Sequence, residues 1–262
     1  MIETVCGAEL HYEVYGTGPK DLLLLHGWGC DGTFFRSLID SFQGEFRVIV
    51  PDFPGHGQSG FPPEPWGVEE YARCVLALLD RLHSVKPRVI CHSFGCRVVL
   101  KMFQLRPDVF EKVVITGGAG LRKPESGKPS KKTVTYRRLK KFVLLLCKIP
   151  FSKPLSDMLL DKLQYRFGSP DYRALSVEMR KTFVKVITEE LSVALPLVTA
   201  PTLLVWGDRD TETPLWMGQK MEIEIPDAGL VTLTGGTHFA FLEQAKAFDI
   251  ICHQFLSEDT NA

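Results

Sequence analysis

No apolar run in this sequence approaches the roughly 18 residues that a membrane-spanning helix requires. The opening Met1-Ile2-Glu3-Thr4 has neither the basic stretch nor the apolar stretch of a secretory signal, so neither a signal peptide nor a membrane span is expected. Neither charge dominates: 31 Lys and Arg balance 31 Asp and Glu, which argues against nucleic acid as the overall partner. The seven cysteines are scattered without a CxxC pair or metal-ligand spacing, so they read as small core hydrophobes in a reducing cytoplasm. The histidines show no clustered spacing either, and no metal is expected. Gly117-Gly118-Ala119-Gly120 lacks both the lysine of a phosphate-binding loop and the GxGxxG spacing, so it reads as a turn and no cofactor is implied.

What the chain does have is a series of short apolar runs, each ending in a polar loop. Leu22–Leu25 runs into His26-Gly27-Trp28-Gly29, and Val48-Ile49-Val50 into Pro51-Asp52-Phe53-Pro54-Gly55-His56-Gly57-Gln58-Ser59. Thr202–Trp206 ends in Gly207-Asp208-Arg209-Asp210, and Leu230–Leu233 ends in Gly235-Gly236-Thr237-His238-Phe239. Such runs read as buried strands of a parallel sheet, where loops at the carboxyl ends of the strands collect the chemistry along one edge. Between them, Arg88-Val89-Ile90 leads into Cys91-His92-Ser93-Phe94-Gly95 and then a helix-like apolar segment. A serine at a strand-to-helix junction, with small residues two positions to either side, reads as a nucleophile elbow. The small residue before it is Cys91 rather than the usual glycine, so this elbow is a variant.

Taken together and in this order, these motifs resemble the serine hydrolases of the α/β-hydrolase superfamily, from the first hairpin to the last helix. The resemblance implies a mostly parallel sheet flanked by helices, with residues 1–119 and 196–262 forming the core. It also implies a helical cap over 120–195, because the interval between Gly120 and Pro196 is far longer than one crossover helix needs. Nucleophile, acid and histidine follow the chain order Ser, Asp, His of this fold. Ser93 is then the nucleophile and His238 the base that takes its proton. Asp210, in a Gly-x-x-Asp pattern followed by Pro214, is the carboxylate that orients the imidazole, and Asp208 reads as a turn or capping residue. The oxyanion donors implied by the family are the backbone N–H groups of Trp28 and Phe94. His26 and His56 are expected to hydrogen-bond to backbone near the site, and His92 takes the variable elbow position.

The activity implied is hydrolysis of a carboxylic ester of small or medium acyl size, through an acyl-enzyme on Ser93. Serine at the elbow argues against the branches of this superfamily that use aspartate there. A carbon–carbon bond hydrolase of the meta-cleavage-product type is the alternative, disfavoured by Phe239 after the histidine and His92 before the serine. A ligand-binding protein built on the same fold is the second alternative, and the filled triad positions argue against it.

Local patterns place a hairpin over Glu3–Cys6 and Glu9–Tyr15 turning at Gly7-Ala8. Strands are expected at Asp21–Leu25, Phe46–Val50, Arg88–Cys91, Lys112–Thr116, Pro201–Trp206 and Gly229–Leu233. Core helices are expected at Thr33–Phe42, Val68–Leu82, Phe94–Leu105, Leu215–Glu222 and Ala240–Leu256, and cap helices at Lys131–Lys148, Pro154–Phe167 and Asp171–Leu195. Charge is uneven within the cap: Arg122–Lys141 holds nine basic residues and one acidic residue, Glu125. With Tyr136, Leu139, Val143 and Leu146 at helical spacing, this is a basic amphipathic helix suited to an anionic substrate, an acidic acyl carrier or a lipid surface. On sequence alone a solvated cap face packed by its apolar side on the core is the preferred reading.

Overall fold

Along the strand Lys20–Leu25 (β3), Leu22 and Leu24 belong to one apolar cluster and Leu23 and Leu25 to another. Side chains alternate across a strand, so an unbroken apolar run has both faces covered. The same division recurs at Val89 and Cys91 against Ile90, and at Leu204 and Trp206 against Val205. Complete burial of such side chains contributes about 1.5–3 kcal/mol each.

The structure is a computed structural model that describes residues 1–122, 131–146, 153–167, 172–173 and 175–257. Eight strands form one sheet: β1 (Ile2–Val5), β2 (Ala8–Tyr15), β3, β4 (Phe46–Pro51), β5 (Arg88–His92), β6 (Val113–Thr116), β7 (Thr202–Gly207) and β8 (Ala228–Leu233). Their order in space is β1-β2-β4-β3-β5-β6-β7-β8. Strands β3 to β8 are mutually parallel, and β1 and β2 add the antiparallel edge. Helices α1 (Arg36–Phe42), α2 (Val68–Arg81) and α3 (Phe94–Leu105) follow β3, β4 and β5. The inserted segment holds α4 (Lys131–Leu146), α5 (Lys153–Phe167) and α6 (Val177–Thr188). The chain closes with α7 (Trp216–Glu224), α8 (Ala240–Glu243) and α9 (Ala245–Ser257). Phe35, Phe42, Phe248 and Leu256 cover one face of the sheet, and α2, α3 and Met217 and Met221 of α7 cover the other. The expected α/β-hydrolase architecture is the one observed.

Several boundaries differ from expectation. The hairpin turns at Cys6-Gly7, where both residues have positive φ (49° and 80°), and Val5 pairs with Ala8. A two-residue hairpin turn of this twist needs positive φ at both central positions, which shifts it one residue ahead of the expected Gly7-Ala8. The final helix breaks at Gln244, which leaves helical geometry with φ −122° and ψ 44°. The span expected as one helix to Leu195 ends at Thr188, and a 3-10 turn follows at Ser192–Leu197. There the Glu190 carboxylate accepts from the N–H groups of Arg122 and Ser192. Positions 147 and 148 of the first expected cap helix, and 171 and 174 of the third, lie outside the described residues.

Two compact units result: residues 1–122 with 184–262, and residues 123–183. Within the second, α4 packs on α5, Val143 is buried, and the Tyr136 and Phe167 rings lie 5.7 Å apart.

Candidate active site

Three loops at the carboxyl edge of the sheet build the site, and the first is the turn from β5 into α3. Ser93 sits there with φ 49° and ψ −106°, a strained conformation for a residue with a side chain. The strain is held by hydrogen bonds on both sides of the turn. Ser93 N–H donates to the Thr116 carbonyl at 3.2 Å, and the Ser93 carbonyl accepts from Cys96 and Ala119, each at 3.1 Å. Helix α3 also has to pass close to β3: a Cβ at Gly95 would lie 2.3 Å from the Leu25 carbonyl oxygen. No residue other than glycine fits that crossing.

The second loop follows β8 and presents His238 toward the turn. His238 Nε2 lies 3.0 Å from Ser93 Oγ, and Nδ1 lies 2.8 Å from Asp210 Oδ2. Because a carboxylate only accepts, Nδ1 carries the proton and Nε2 is left to take one from the serine hydroxyl. The preceding residue is fixed as well, since Thr237 N–H and Oγ1–H both donate to the Glu243 carboxylate, at 2.8 and 2.5 Å.

The third loop follows β7 and buries Asp210 completely at its side chain. Asp210 Oδ1 accepts the N–H groups of Glu212 and Thr213, each at 2.9 Å. Burial pushes its carboxyl up, but the hydrogen bonds and charge of His238 and the donors of Thr213 outweigh it, and the group is held below the usual carboxylate range. It is therefore an anion at neutral pH. Asp208, two residues earlier, is exposed and accepts Gly235 N–H at 2.7 Å, tying the β7 loop to the β8 loop as a turn residue.

Trp28, in the loop after β3, lies against Phe94, the first residue of α3, with ring centroids 5.3 Å apart. The Phe94 N–H belongs to the first helical turn, whose amides have no acceptor within the helix. The loop carrying Trp28 is anchored by His26, whose Nδ1–H donates to the Gly27 carbonyl at 2.8 Å and whose Nε2 accepts Phe53 N–H at 2.9 Å. Asp52 ties the same loop to the next. It accepts Gly32 N–H at 2.8 Å, and Gln58 N–H and His11 Nδ1–H at 2.9 Å each.

Two residues near the site, Thr213 and Gly117, are given no site role by the sequence reading, and a third, His92, is placed there only as the variable elbow residue. His92 is buried, donates from Nε2 to the His238 carbonyl at 3.0 Å, and packs its ring 4.7 Å from that of His238. The period of two along β5 places it on the same face as Ile90, a signal that was available. Thr213 Oγ1 lies within hydrogen-bond reach of both Asp210 and His238. The Asp-x-x-Thr spacing of a side-chain turn was its signal. Gly117 adopts φ 53°, and a Cβ there would lie 3.1 Å from His238 Nδ1 and 3.3 Å from Asp210 Oδ2. Nothing local in the glycine-rich run distinguishes it. Among the described residues no group of three or more His, Cys, Asp or Glu side chains is placed to hold a metal ion, and no helix is long and apolar enough to cross a membrane.

Comparison with known proteins agrees with this architecture. Residues 22–249 match the model of the Alpha/beta hydrolase family, and the chain belongs to that family. An α/β-hydrolase fold is thereby established for it. Among curated proteins it is similar to a pimeloyl-[acyl-carrier protein] methyl ester esterase of Neisseria meningitidis, 26% identical over 251 residues, covering 90% of this chain and 77% of that one. It is also similar to a protein of the same description from Vibrio vulnificus, 25% identical over 270 residues, covering 95% and 97%. Among solved structures, an enol-lactonase from Burkholderia xenovorans LB400 superposes with a TM-score of 0.74 at 24% identity, over 98% of this chain and 100% of that one.

Proposed function

We propose that this protein hydrolyses carboxylic esters of small or medium acyl chains, with Ser93, His238 and Asp210 as its catalytic triad. The observation that carries the reading is the unbroken chain from Ser93 Oγ through the His238 ring to the buried Asp210 carboxylate, at 3.0 and 2.8 Å, with Ser93 held on a strained turn. Ser93 Oγ attacks the ester carbonyl while its proton passes to His238 Nε2. The resulting oxyanion is held by the N–H groups of Phe94 and Trp28, and Asp210 stabilises the imidazolium. The tetrahedral intermediate collapses as His238 protonates the leaving alcohol, and a water activated by the same histidine then frees the acid from Ser93.

In this reading the inserted unit is the cap, and an acidic acyl carrier is the partner that its basic helix fits. On α4, Arg138 and Lys141 are exposed beside Phe142 and Leu145, which are themselves 61% and 53% exposed. Apolar side chains left open next to fixed positive charge suit a carrier that is acidic and brings an acyl chain with it. The curated relatives named for acyl-carrier esters support the same choice.

The test pairs two variants with two substrates. Ser93→Ala should abolish hydrolysis of p-nitrophenyl butyrate and of a carrier-linked acyl methyl ester alike, by about 10⁴-fold or more. Retention of more than about a tenth of the activity refutes the nucleophile. Replacing Arg137, Arg138 and Lys141 by glutamine should lower kcat/KM for the carrier-linked ester alone, with a loss that fades as salt rises. Equal losses on both substrates, or none, would leave α4 a solvated surface.

A further inference from the structure

The hydroxyl of Thr213 meets three partners at once. Its Oγ1 lies 2.8 Å from Asp210 Oδ2, 2.9 Å from the Gly117 carbonyl oxygen and 3.1 Å from His238 Nδ1. The residue is 5% exposed and has little freedom to move. Its N–H is bound to Asp210 Oδ1 at 2.9 Å, and its carbonyl accepts the indole N–H of the fully buried Trp206 at 2.7 Å. This hydroxyl is therefore aimed by the backbone and by the core beneath it.

A hydroxyl has one proton to give and two lone pairs to offer. Two of its three neighbours only accept, and the third, His238 Nδ1–H, only donates. A carboxylate is the stronger acceptor of the two, so the proton goes to Asp210 Oδ2, and a lone pair of the same oxygen faces Nδ1–H. The imidazole proton then has two acceptors, the carboxylate oxygen at 2.8 Å and the hydroxyl at 3.1 Å.

We propose that Thr213 is a positioning residue of the hydrolytic site, its hydroxyl fixing the Asp210 carboxylate and sharing the Nδ1 proton of His238 when the imidazolium forms. The proposal rests on Ser93, His238 and Asp210 acting as the triad. Its role is exerted in the transition state, when Nδ1–H becomes the proton of a cation and a second acceptor matters most.

Thr213→Val keeps the shape and replaces the hydroxyl by a methyl group, whereas Thr213→Ser keeps the hydroxyl and removes the methyl group. If the hydroxyl acts as proposed, Thr213→Val loses about 10- to 100-fold in kcat with KM within about twofold, and Thr213→Ser stays within about threefold of the parent. A residue that served only packing gives the opposite order, with serine worse than valine, and that order overturns the proposal. Thermal unfolding is measured on each variant. Should Thr213→Val fail to fold, Thr213→Ala against Thr213→Ser supplies the same comparison, and equal activity of those two also overturns it. Ser93→Ala, assayed alongside, separates the two levels. An active Ser93→Ala removes the triad and this proposal together, whereas an inactive Ser93→Ala beside a fully active Thr213→Val removes this proposal alone.

Discussion

Lowering the pH from 6 to 5 should cost the core of this protein about 2.4 kcal/mol, and two buried histidines set the figure. His92 and His56 are 1% and 8% exposed. Burial, aided by the neighbouring charge of His238 for His92 and of His26 for His56, pushes each imidazole down to about 3. In the unfolded chain both titrate near 6.5. A folded value below the unfolded one means the stabilisation is fully present above about pH 6.5 and is lost as the pH falls toward 3. Between pH 6 and 5 each histidine of the unfolded chain already holds most of one proton, whereas its folded counterpart holds almost none, and that difference over one pH unit is about 1.2 kcal/mol for each. His26, also lowered by burial, acts in the same direction. The buried carboxylates add little here, because Asp52 and Asp210 are lowered in the fold and ionised in both states above pH 5.

Urea unfolding followed by tryptophan fluorescence is the assay. All four tryptophans, at 28, 66, 206 and 216, belong to the unit formed by residues 1–122 and 184–262, so the signal reports that unit alone. In His92→Asn the difference between pH 6 and 5 should shrink by about 1.2 kcal/mol, whatever the variant does to absolute stability. A parent protein that loses less than about 1 kcal/mol over this interval, or a His92→Asn variant with an undiminished difference, would refute the reasoning.

Two further outcomes concern the site. Gly117→Ala places a methyl group 3.1 Å from His238 Nδ1 at a φ of 53°, so kcat should fall by at least about tenfold while stability falls by about 1 kcal/mol. Full activity in that variant would show that the histidine and acid do not depend on this close approach. Asp210→Asn should lose about 10⁴-fold in kcat, as expected when the imidazole is held in the wrong tautomer, whereas Asp208→Asn, which weakens only the bond to Gly235 N–H, should stay within about tenfold. Steady-state kinetics on one chromogenic ester decides between them, and the reverse ranking would move the acid to Asp208.

The sequence by itself determined which segments become strands and helices, because these depend on neighbours a few residues away. Leu22–Leu25, Ile90 and Val114 are apolar on consecutive or alternating positions, which suits a sheet covered on both faces, and Val68, Tyr71, Val75 and Leu78 recur at helical spacing. Chain order and loop chemistry likewise marked Ser93 and His238, while Asp210 was selected over Asp208 by the resemblance to the α/β-hydrolases. Where the local signal was a matter of one or two residues, as at the Cys6-Gly7 turn and at Gln244, it slipped by that much.

Only the tertiary structure decided what lies across the sheet. It inserts β4 between β2 and β3, and lays the loops after β5, β6, β7 and β8 side by side. Ser93 and Asp210 then flank a histidine 145 and 28 residues away along the chain. Asp210 rather than Asp208 reaches that histidine because Asp210 turns inward to be buried, while Asp208 faces the loop carrying Gly235. His92, Thr213 and the Gly117 carbonyl join the site through contacts across strands and loops. Periodicity and turn chemistry act over a few residues, but these contacts are set by strand register and by the packing of the sheet's carboxyl edge, which no short window of sequence contains.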